Sequence, residues 1–371
     1  MGVAVESSCD ETGVAVVSES NELLSNPLFS QIELHKEYGG VVPEIASREH
    51  MAKLPLLMKE AISVACQKLN IDDKELLTRV KFIAVTVRPG LVGSLLVGYN
   101  GALVLKDMLQ VPLIPVHHLE AHLYAVILEG KSIQYPFLGV LLSGGNTILL
   151  QVDGLANIKI LGNTMDDACG EALDKAASLL GLPYPGGPYM EKAANKFLDH
   201  VAKNNLEIGV IDKANPLPKV LANQKKTIFA FSYSGLKTAL LYKIKKINSI
   251  GQLENIEQAK DILNSVEALA YYFQQRLFEI VNRNISNILK HDSRFKQVIM
   301  AGGVAANQTL KKKLANTIEK YDIAFDVPSP KYCTDNAAMI AITALQYYRN
   351  GTWPTINKVT SQNDFFSVKK I

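Results

Sequence analysis

The sequence predicts an α/β fold in which one βββαβαβα pattern is written twice, each copy forming a mixed sheet with crossover helices. Three observations carry that expectation. Short β-rich runs, Val3–Glu6 and Gly13–Val17, flank the polar turn Ser7-Ser8-Cys9-Asp10-Glu11-Thr12. A second pair, Phe137–Leu142 and Ile148–Val152, flanks Ser143-Gly144-Gly145-Asn146-Thr147. After each pair the same succession of strand and helix patterns follows. No linker of Ser, Gly and Pro parts the halves, so they are expected to pack face to face.

In chain order, the first half continues with a strand at Leu28–Ile32 and a helix from about Pro43 to Leu69, its proline in the tolerant first turn. A buried-type strand at Val80–Val87, a helix at about Gly93–Leu109, a strand at Val111–Val116 and a helix at about His118–Glu129 complete it. The second half adds a strand at Ile158–Leu161 and a helix at about Asp166–Leu180. A long excursion follows, and then strand Gln297–Met300, helix Asn307–Lys320, strand Ala324–Val327 and helix Asp335–Tyr348. The excursion carries a long amphipathic helix near Glu257–His291. The expected domains are 1–134, rejoined by the C-terminal helix at about 336–371, and 135–335 with a mainly helical insertion at about 184–295. Sheets of this kind bind ligands beyond the carboxyl ends of their strands. Two pseudo-twofold halves would set their polar turns across one cleft, around a nucleotide or another phosphorylated ligand.

Composition narrows the class. At 371 residues, with 48% hydrophobic and 20% charged, the chain has a globular balance that excludes disordered, collagenous and coiled-coil readings. Cys9, Cys66, Cys169 and Cys333 form no CxxC pair, which argues against a disulfide scaffold or a four-cysteine zinc site and fits a reducing compartment. The N-terminal residues lack the basic head and apolar body of a signal peptide, and no apolar run approaches the roughly 20 residues that cross a bilayer. A soluble, cytoplasmic protein is expected, with no membrane partner. The net charge of +3 is nearly balanced, yet eight lysines (213, 219, 225, 226, 237, 243, 245 and 246) fall between Lys213 and Leu253 with no acid among them. Lys311-Lys312-Lys313 adds a second cluster. Such lysines are ordinarily a solvated face; a long stretch without acids shifts the balance toward an anionic partner.

Several constellations bear chemistry. The two glycines of Ser143–Thr147 let backbone N–H groups converge on an oxyanion or phosphate, although a plain hairpin turn reads the same way. Asp10-Glu11, its counterpart in the first half, is either a solvated turn or a holder of a metal–phosphate complex. Ala301–Asn307 follows a strand and opens a helix; its glycines permit close approach of a flat ligand, or Asn307 is simply an N-cap. His118 and His122 share one helical face and suit bidentate metal binding. The duplication nominates a third ligand, Asp335, which begins the equivalent helix of the second half and is otherwise a plain N-cap. Asp167, Glu171 and Asp174 line one face of the helix at 166–180, and Gly186-Gly187-Pro188 with Glu191 opens another helix where carboxylates suit ribose hydroxyls.

Taken together these segments resemble the tRNA N6-adenosine threonylcarbamoyltransferase family (TsaD), within the actin/Hsp70/sugar-kinase superfamily. The resemblance runs from Val3 to about Tyr348. Besides the motifs above it rests on Tyr38-Gly39-Gly40-Val41-Val42-Pro43-Glu44, Asp166-Asp167-Ala168 with Gly170-Glu171-Ala172, Tyr184–Pro188, Phe231-Ser232-Tyr233-Ser234-Gly235-Leu236-Lys237 and Cys333-Thr334-Asp335-Asn336. It implies an actin-like (ASKHA) fold with two lobes around a nucleotide cleft. It implies transfer of the threonylcarbamoyl group of threonylcarbamoyl-adenylate to N6 of the adenosine 3′-adjacent to the tRNA anticodon, in tRNAs reading codons that begin with A, with release of AMP. His118, His122 and Asp335 match the family's ligands for one divalent metal, iron ahead of zinc. Leu141, Leu142, Ser143, Gly144, Gly145, Asp174, Gly187, Glu191 and Asn307 match positions that hold the adenylate, an ATP-type nucleotide. Asp174 and Glu191 are expected near the ribose and Asn307 near the adenine. Asp10 and Glu11 match an acidic turn tied to catalysis, with Glu11 the candidate base. Implied partners are tRNA and either a smaller paralogous subunit with a P-loop ATPase or a second copy of the chain.

The chain departs from the family pattern at Arg88-Pro89-Gly90, where Gly-Pro-Gly is usual, at Asn146, where bacterial members commonly have His, and at Leu141, where some have a metal-binding Tyr. Two other functions use the same lobes: an actin-fold phosphotransferase, and a nucleotide-binding scaffold without catalysis. A metallopeptidase fits less well, because HExxH needs Glu where Leu119 stands.

Overall fold

β1 (Gly2–Glu6) is buried along its whole length, as a strand flanked on both sides must be. β2 (Glu11–Val17) runs antiparallel to it, with Val3 opposite Val16. β3 (Leu23–Ser25) and β4 (Leu28–Ser30) both pair with β2. After α1 (Ile32–His35), α2 (Pro43–Leu69) and α3 (Asp73–Arg79) comes β5 (Phe82–Arg88), parallel to β1 with Val3 opposite Ile83. α4 (Val92–Leu109) leads to β6 (Leu113–His117), parallel to β5, and to α5 (His118–Tyr124). The sheet order is β3-β2-β1-β5-β6. The computed structural model describes residues 1–38, 40–213, 215–219, 229–258, 261–355 and 359–361.

The second sheet, ordered β11-β10-β7-β8-β9, comprises β7 (Phe137–Leu142), β8 (Thr147–Gly154), β9 (Asn157–Asn163), β10 (Gln297–Ala301) and β11 (Ala324–Asp326). Between β9 and β10 lie α6 (Cys169–Leu179), α7 (Gly186–Lys203), α8 (Ile208–Lys213), α9 (Ser234–Ile250) and α10 (Val266–His291). α11 (Gln308–Ile318) joins β10 to β11, and α12 (Pro330–Cys333) and α13 (Ala337–Arg349) follow. The two sheets repeat one strand order, so the duplicated α/β architecture expected from the sequence is present. The chain divides into two compact units: Met1–Phe137 with Gln151–Lys159 and Asp326–Ile371, and Leu138–Leu150 with Ile160–Phe325. In the first, α13 packs on β1 and β2, and its Ala337, Ala338, Met339 and Ile340 join one apolar core with Val3, Val5, Val14 and Val16. The cores close around residues that the chain leaves little freedom to place elsewhere.

Several boundaries differ from expectation, and capping explains most of them. The helix expected from Asp166 starts at Cys169, so Asp167 lies before it and does not share its face. Instead Asp167 takes Lys175 Nζ at 2.6 Å and Lys237 Nζ at 2.7 Å. The helix expected from Glu257 starts at Val266, where Ser265 Oγ accepts the Ala268 N–H. The helix expected over 118–129 is α-helical to Tyr124 and 3₁₀ over Ala125–Glu129. The lysine-rich segment is only partly exposed cation: Lys213, Lys219, Lys245 and Lys246 are exposed, Lys237 is half-buried in its pair with Asp167, and Lys225 and Lys226 lie outside the described residues.

Candidate metal centre and substrate-binding elements

β6 leads into α5, which carries the candidate histidine pair. His117 ends the strand and caps α5, its Nδ1 accepting the Leu119 N–H at 3.2 Å. One residue on, His118 points Nε2 toward His122 Nε2, 3.2 Å away on the next helical turn. Asp335 does not cap α13: Asn336 does, its side chain accepting the Met339 N–H at 3.1 Å. The Asp335 carboxylate is thereby left for the histidines, with Oδ1 3.1 Å from His122 Nε2 and 3.4 Å from His118 Nε2. All three ligand atoms lie within 4.8 Å of one another. Two imidazole nitrogens and a carboxylate oxygen aimed at one point form a donor set that a divalent transition metal satisfies, so the residues fit such an ion.

The electrostatics agree. Burial acts to lower the His118 imidazole, but the Asp335 and Glu6 carboxylates outweigh it and hold it well above its ordinary value. Burial would raise Asp335, yet His118 and His122 keep it far below the carboxylate range. Glu6, fully buried, is likewise held below its ordinary value against burial, by His118 and by the bond from Ser8. These are the marks of one negative pocket built to receive positive charge.

The acidic turn is fixed from three sides. Ser8 O accepts the Leu91 N–H at 2.8 Å, and Ser7 Oγ donates to Ser94 O at 2.9 Å. Gly98 permits that approach, since a Cβ there would stand 2.3 Å from Ser7 Oγ. From α2, His50 donates Nε2–H to Cys9 O at 3.0 Å and accepts the Thr12 hydroxyl at 2.7 Å. Burial, Asp335 and Asp10 push the Glu11 carboxyl up to about 10. Burial also pushes the Cys9 thiol far up, with Asp10 and Asp335 adding to it, so Cys9 is no thiolate nucleophile. Arg88 closes β5 half-buried, with Arg88 set opposite His117 across the strand pair.

In the second unit the Ser143–Thr147 turn joins β7 to β8. Ser143 N–H donates to Asn146 O at 2.8 Å, and Ser143 Oγ accepts the Asn146 N–H at 3.1 Å. Gly144 and Gly145 are exposed, whereas Leu141 and Leu142 are buried and offer a ligand only backbone. The turn rests on the start of α6, where Gly170 N–H donates to Ser143 O at 3.0 Å. A Cβ on Gly170 would stand 2.8 Å from Gly144 Cα. The other expected adenylate residues gather at two neighbouring helix starts. Asp174 Oδ1 accepts the Gly186 N–H at 2.7 Å at the head of α7, with Gly187 also donating to it. Glu191 accepts the Gln308 N–H at 2.8 Å at the head of α11. Asn307 is the N-cap of α11, accepting Leu310 N–H at 2.9 Å and donating to Gln274 at 3.1 Å. Its capping role, open in the sequence, is realised. Asp167 and Glu171 belong to ion pairs with Lys175.

A family model described as tRNA N6-adenosine threonylcarbamoyltransferase (TsaD) matches residues 22–342. The chain belongs to that family. A protein of that name from Leptospira interrogans is 40% identical over 349 residues, 94% of this chain and 93% of that protein. Those of Fervidobacterium nodosum and Thermosipho melanesiensis are 39% and 41% identical, over 94% and 93% of this chain and 94% of each relative. A distant likeness among solved structures is full-length HypF in its phosphate- and nucleotide-bound form, 13% identical with a TM-score of 0.48, over 95% of this chain and 47% of that one. Among the described residues, no helix is long and apolar enough to cross a membrane.

Sequence reasoning nominated the three side chains that converge, His118, His122 and Asp335, but assigned no role to the residues behind them. Glu6 and Ser8 contact His118, Thr86 bonds Glu6, and His50 bonds Thr12 and the Cys9 carbonyl. The available signal was an acid closing an otherwise apolar strand, Val3-Ala4-Val5-Glu6.

Proposed function

We propose that this chain transfers the threonylcarbamoyl group of threonylcarbamoyl-adenylate to N6 of the adenosine 3′-adjacent to the tRNA anticodon, in tRNAs reading codons that begin with A, and releases AMP. The observation that carries it, beside the family membership, is the convergence of His118, His122 and Asp335. Iron is the preferred ion, since two histidines and one carboxylate with open positions is a ferrous ligand pattern. A bound ion would supply Lewis-acid polarisation of the acyl or phosphate oxygens.

The chain's own residues do the rest. Ser143, Gly144 and Gly145 present donors to an oxyanionic group from a turn held rigid by Asn146 and Gly170. Asp174 and Glu191 meet ribose hydroxyls and Asn307 the adenine edge, each already oriented by a helix start. An exocyclic amine is a weak nucleophile, so alignment of the two substrates provides most of the rate. The exposed lysines 213, 219, 245 and 246 supply phosphate contacts to tRNA, in place of Lys237. The protein acts in the cytoplasm, where unmodified tRNA and adenylate meet.

A smaller paralogous subunit is the preferred partner, with the P-loop ATPase joining that pair. Val92, Leu96, Val104 and Met108 recur at multiples of four along α4 and are exposed, as are Leu56 and Val64 on the neighbouring α2. A lobe of the same fold covers such a row with its own helices; self-association of this chain is the other outcome in a sizing experiment.

The test incubates metal-loaded protein, its partners, threonylcarbamoyl-adenylate and unmodified tRNA, and analyses the digested nucleosides by mass spectrometry. Modified adenosine is expected, and His118→Ala, His122→Ala and Asp335→Ala each reduce it by at least 100-fold on the order expected for loss of a metal. A phosphotransferase would survive these substitutions.

A further inference from the structure

Behind the metal group lies a buried carboxylate that the reaction above does not use. Glu6 ends β1 and is wholly inaccessible. Its Oε1 accepts the Ser8 N–H at 2.6 Å. Its Oε2 accepts the Thr86 hydroxyl from the adjacent β5 and lies 3.3 Å from His118 Nδ1. Ser8 Oγ lies 3.2 Å from the same ring nitrogen. The other nitrogen of that ring, Nε2, faces His122 and Asp335. His118 therefore has one edge for the metal and the opposite edge for Glu6. A histidine that ligates through Nε2 carries its proton on Nδ1, and a carboxylate is the acceptor that fixes this tautomer, sets the ring plane and makes the free nitrogen more basic.

We propose that Glu6 is a positioning residue that orients His118 and selects its metal-binding tautomer, with Ser8 and Thr86 holding the Glu6 carboxylate in turn. The two histidines are then unequal. His122 Nδ1 is buried with no hydrogen-bond partner, so only His118 carries this support among the described residues. Glu6 also couples the ligand to the acidic turn, because Ser8 bonds it through the backbone two residues before Asp10. The inference rests on the metal reading of His118, His122 and Asp335, and the experiment separates the two.

The full chain is stripped with chelator and titrated with cobalt(II) alone, whose visible absorption reports ligand number and geometry. One equivalent is expected to bind. Glu6→Ala should weaken binding by roughly 10- to 100-fold, the range found when an outer partner of a metal-bound histidine is removed. Glu6→Gln keeps the shape and an acceptor oxygen, and should recover part of that loss while shifting the absorption band. A merely structural role would leave both affinity and band unchanged in any variant that folds. Asp335→Ala is the separate control. If it binds cobalt as the unaltered chain does, the metal reading fails. If Asp335→Ala loses the ion but folded Glu6→Gln and Glu6→Ala bind within twofold of the unaltered chain with its spectrum, the Glu6 inference fails and the metal reading stands. Should Glu6→Ala not fold, Glu6→Gln decides alone, by the same affinity and spectrum.

Discussion

Glu120 sits on α5 between His118 and His122, fully buried, with one oxygen taking the Ala156 N–H at 3.0 Å and the other the Tyr347 hydroxyl at 2.7 Å. Burial outweighs both bonds and pushes its carboxyl from 4.5 up to about 7. A carboxyl that binds its proton more tightly when folded stabilises the fold fully below about pH 4.5, and that contribution is lost as pH rises through about 7. The expected outcome is a stability decline of about 1–3 kcal/mol across that window, flattened in Glu120→Gln, read as denaturation midpoints of chelator-treated protein from pH 5 to 8. An unchanged slope in the variant would remove Glu120 as the cause. At this scale the sequence made the convergence of three side chains legible, because duplication maps the start of one terminal helix onto the other and so pairs Asp335 with His118. It left Glu6 and His50 hidden, since a buried residue whose bonds run to distant parts of the chain has no spacing of its own. Asn307 shows the converse. Its N-cap role was written in the strand–helix junction, and the structure uses its side-chain oxygen for that cap.

Among the elements, the start of α6 bears most directly on the glycine turn at 143–147. Gly170 leaves no room between its Cα and the Ser143-Gly144 backbone, where a Cβ would lie 2.8 Å from three atoms. Backbone cannot yield as a flexible side chain does, so Gly170→Ala displaces the turn. The predicted effect is a fall in kcat/KM on the order of 10- to 100-fold for the adenylate, with cobalt affinity unchanged because the ligands belong to the other unit. Equal loss of both would mean general unfolding. Helix boundaries were the part of the fold least visible in advance. The Asp166-Asp167 pair looked like the first turn of α6, but Asp166 instead accepts Tyr233 N–H at 2.8 Å and the Ser232 and Ser234 hydroxyls at 2.5 and 2.7 Å, capping α9 from across the chain. A cap supplied from a residue some 66 positions away has no local signature. Strands fared better: burial along their whole length follows from the continuous apolar runs at 3–5, 14–17 and 82–85, the first antiparallel to the second and parallel to the third.

For the molecule as a whole, the duplicated α/β plan was readable because each half repeats a strand pair around a polar turn, and periodicity of that length survives local ambiguity. The lysine-rich excursion was readable only as charge. Lys237 turned inward to Asp167 at 2.7 Å, which composition has no means of anticipating. The central claim is transfer of the threonylcarbamoyl group to a single adenosine, and one measurement addresses it most directly. The protein, loaded with ferrous iron and supplied with its partners and threonylcarbamoyl-adenylate, is given two tRNAs that differ only in the purine 3′-adjacent to the anticodon, adenosine in one and guanosine in the other. Modified nucleoside and AMP should form in equal amounts with the adenosine tRNA, and no modified nucleoside should form with the guanosine tRNA. Modification of both tRNAs, or AMP release with no modified nucleoside on either, would contradict the account.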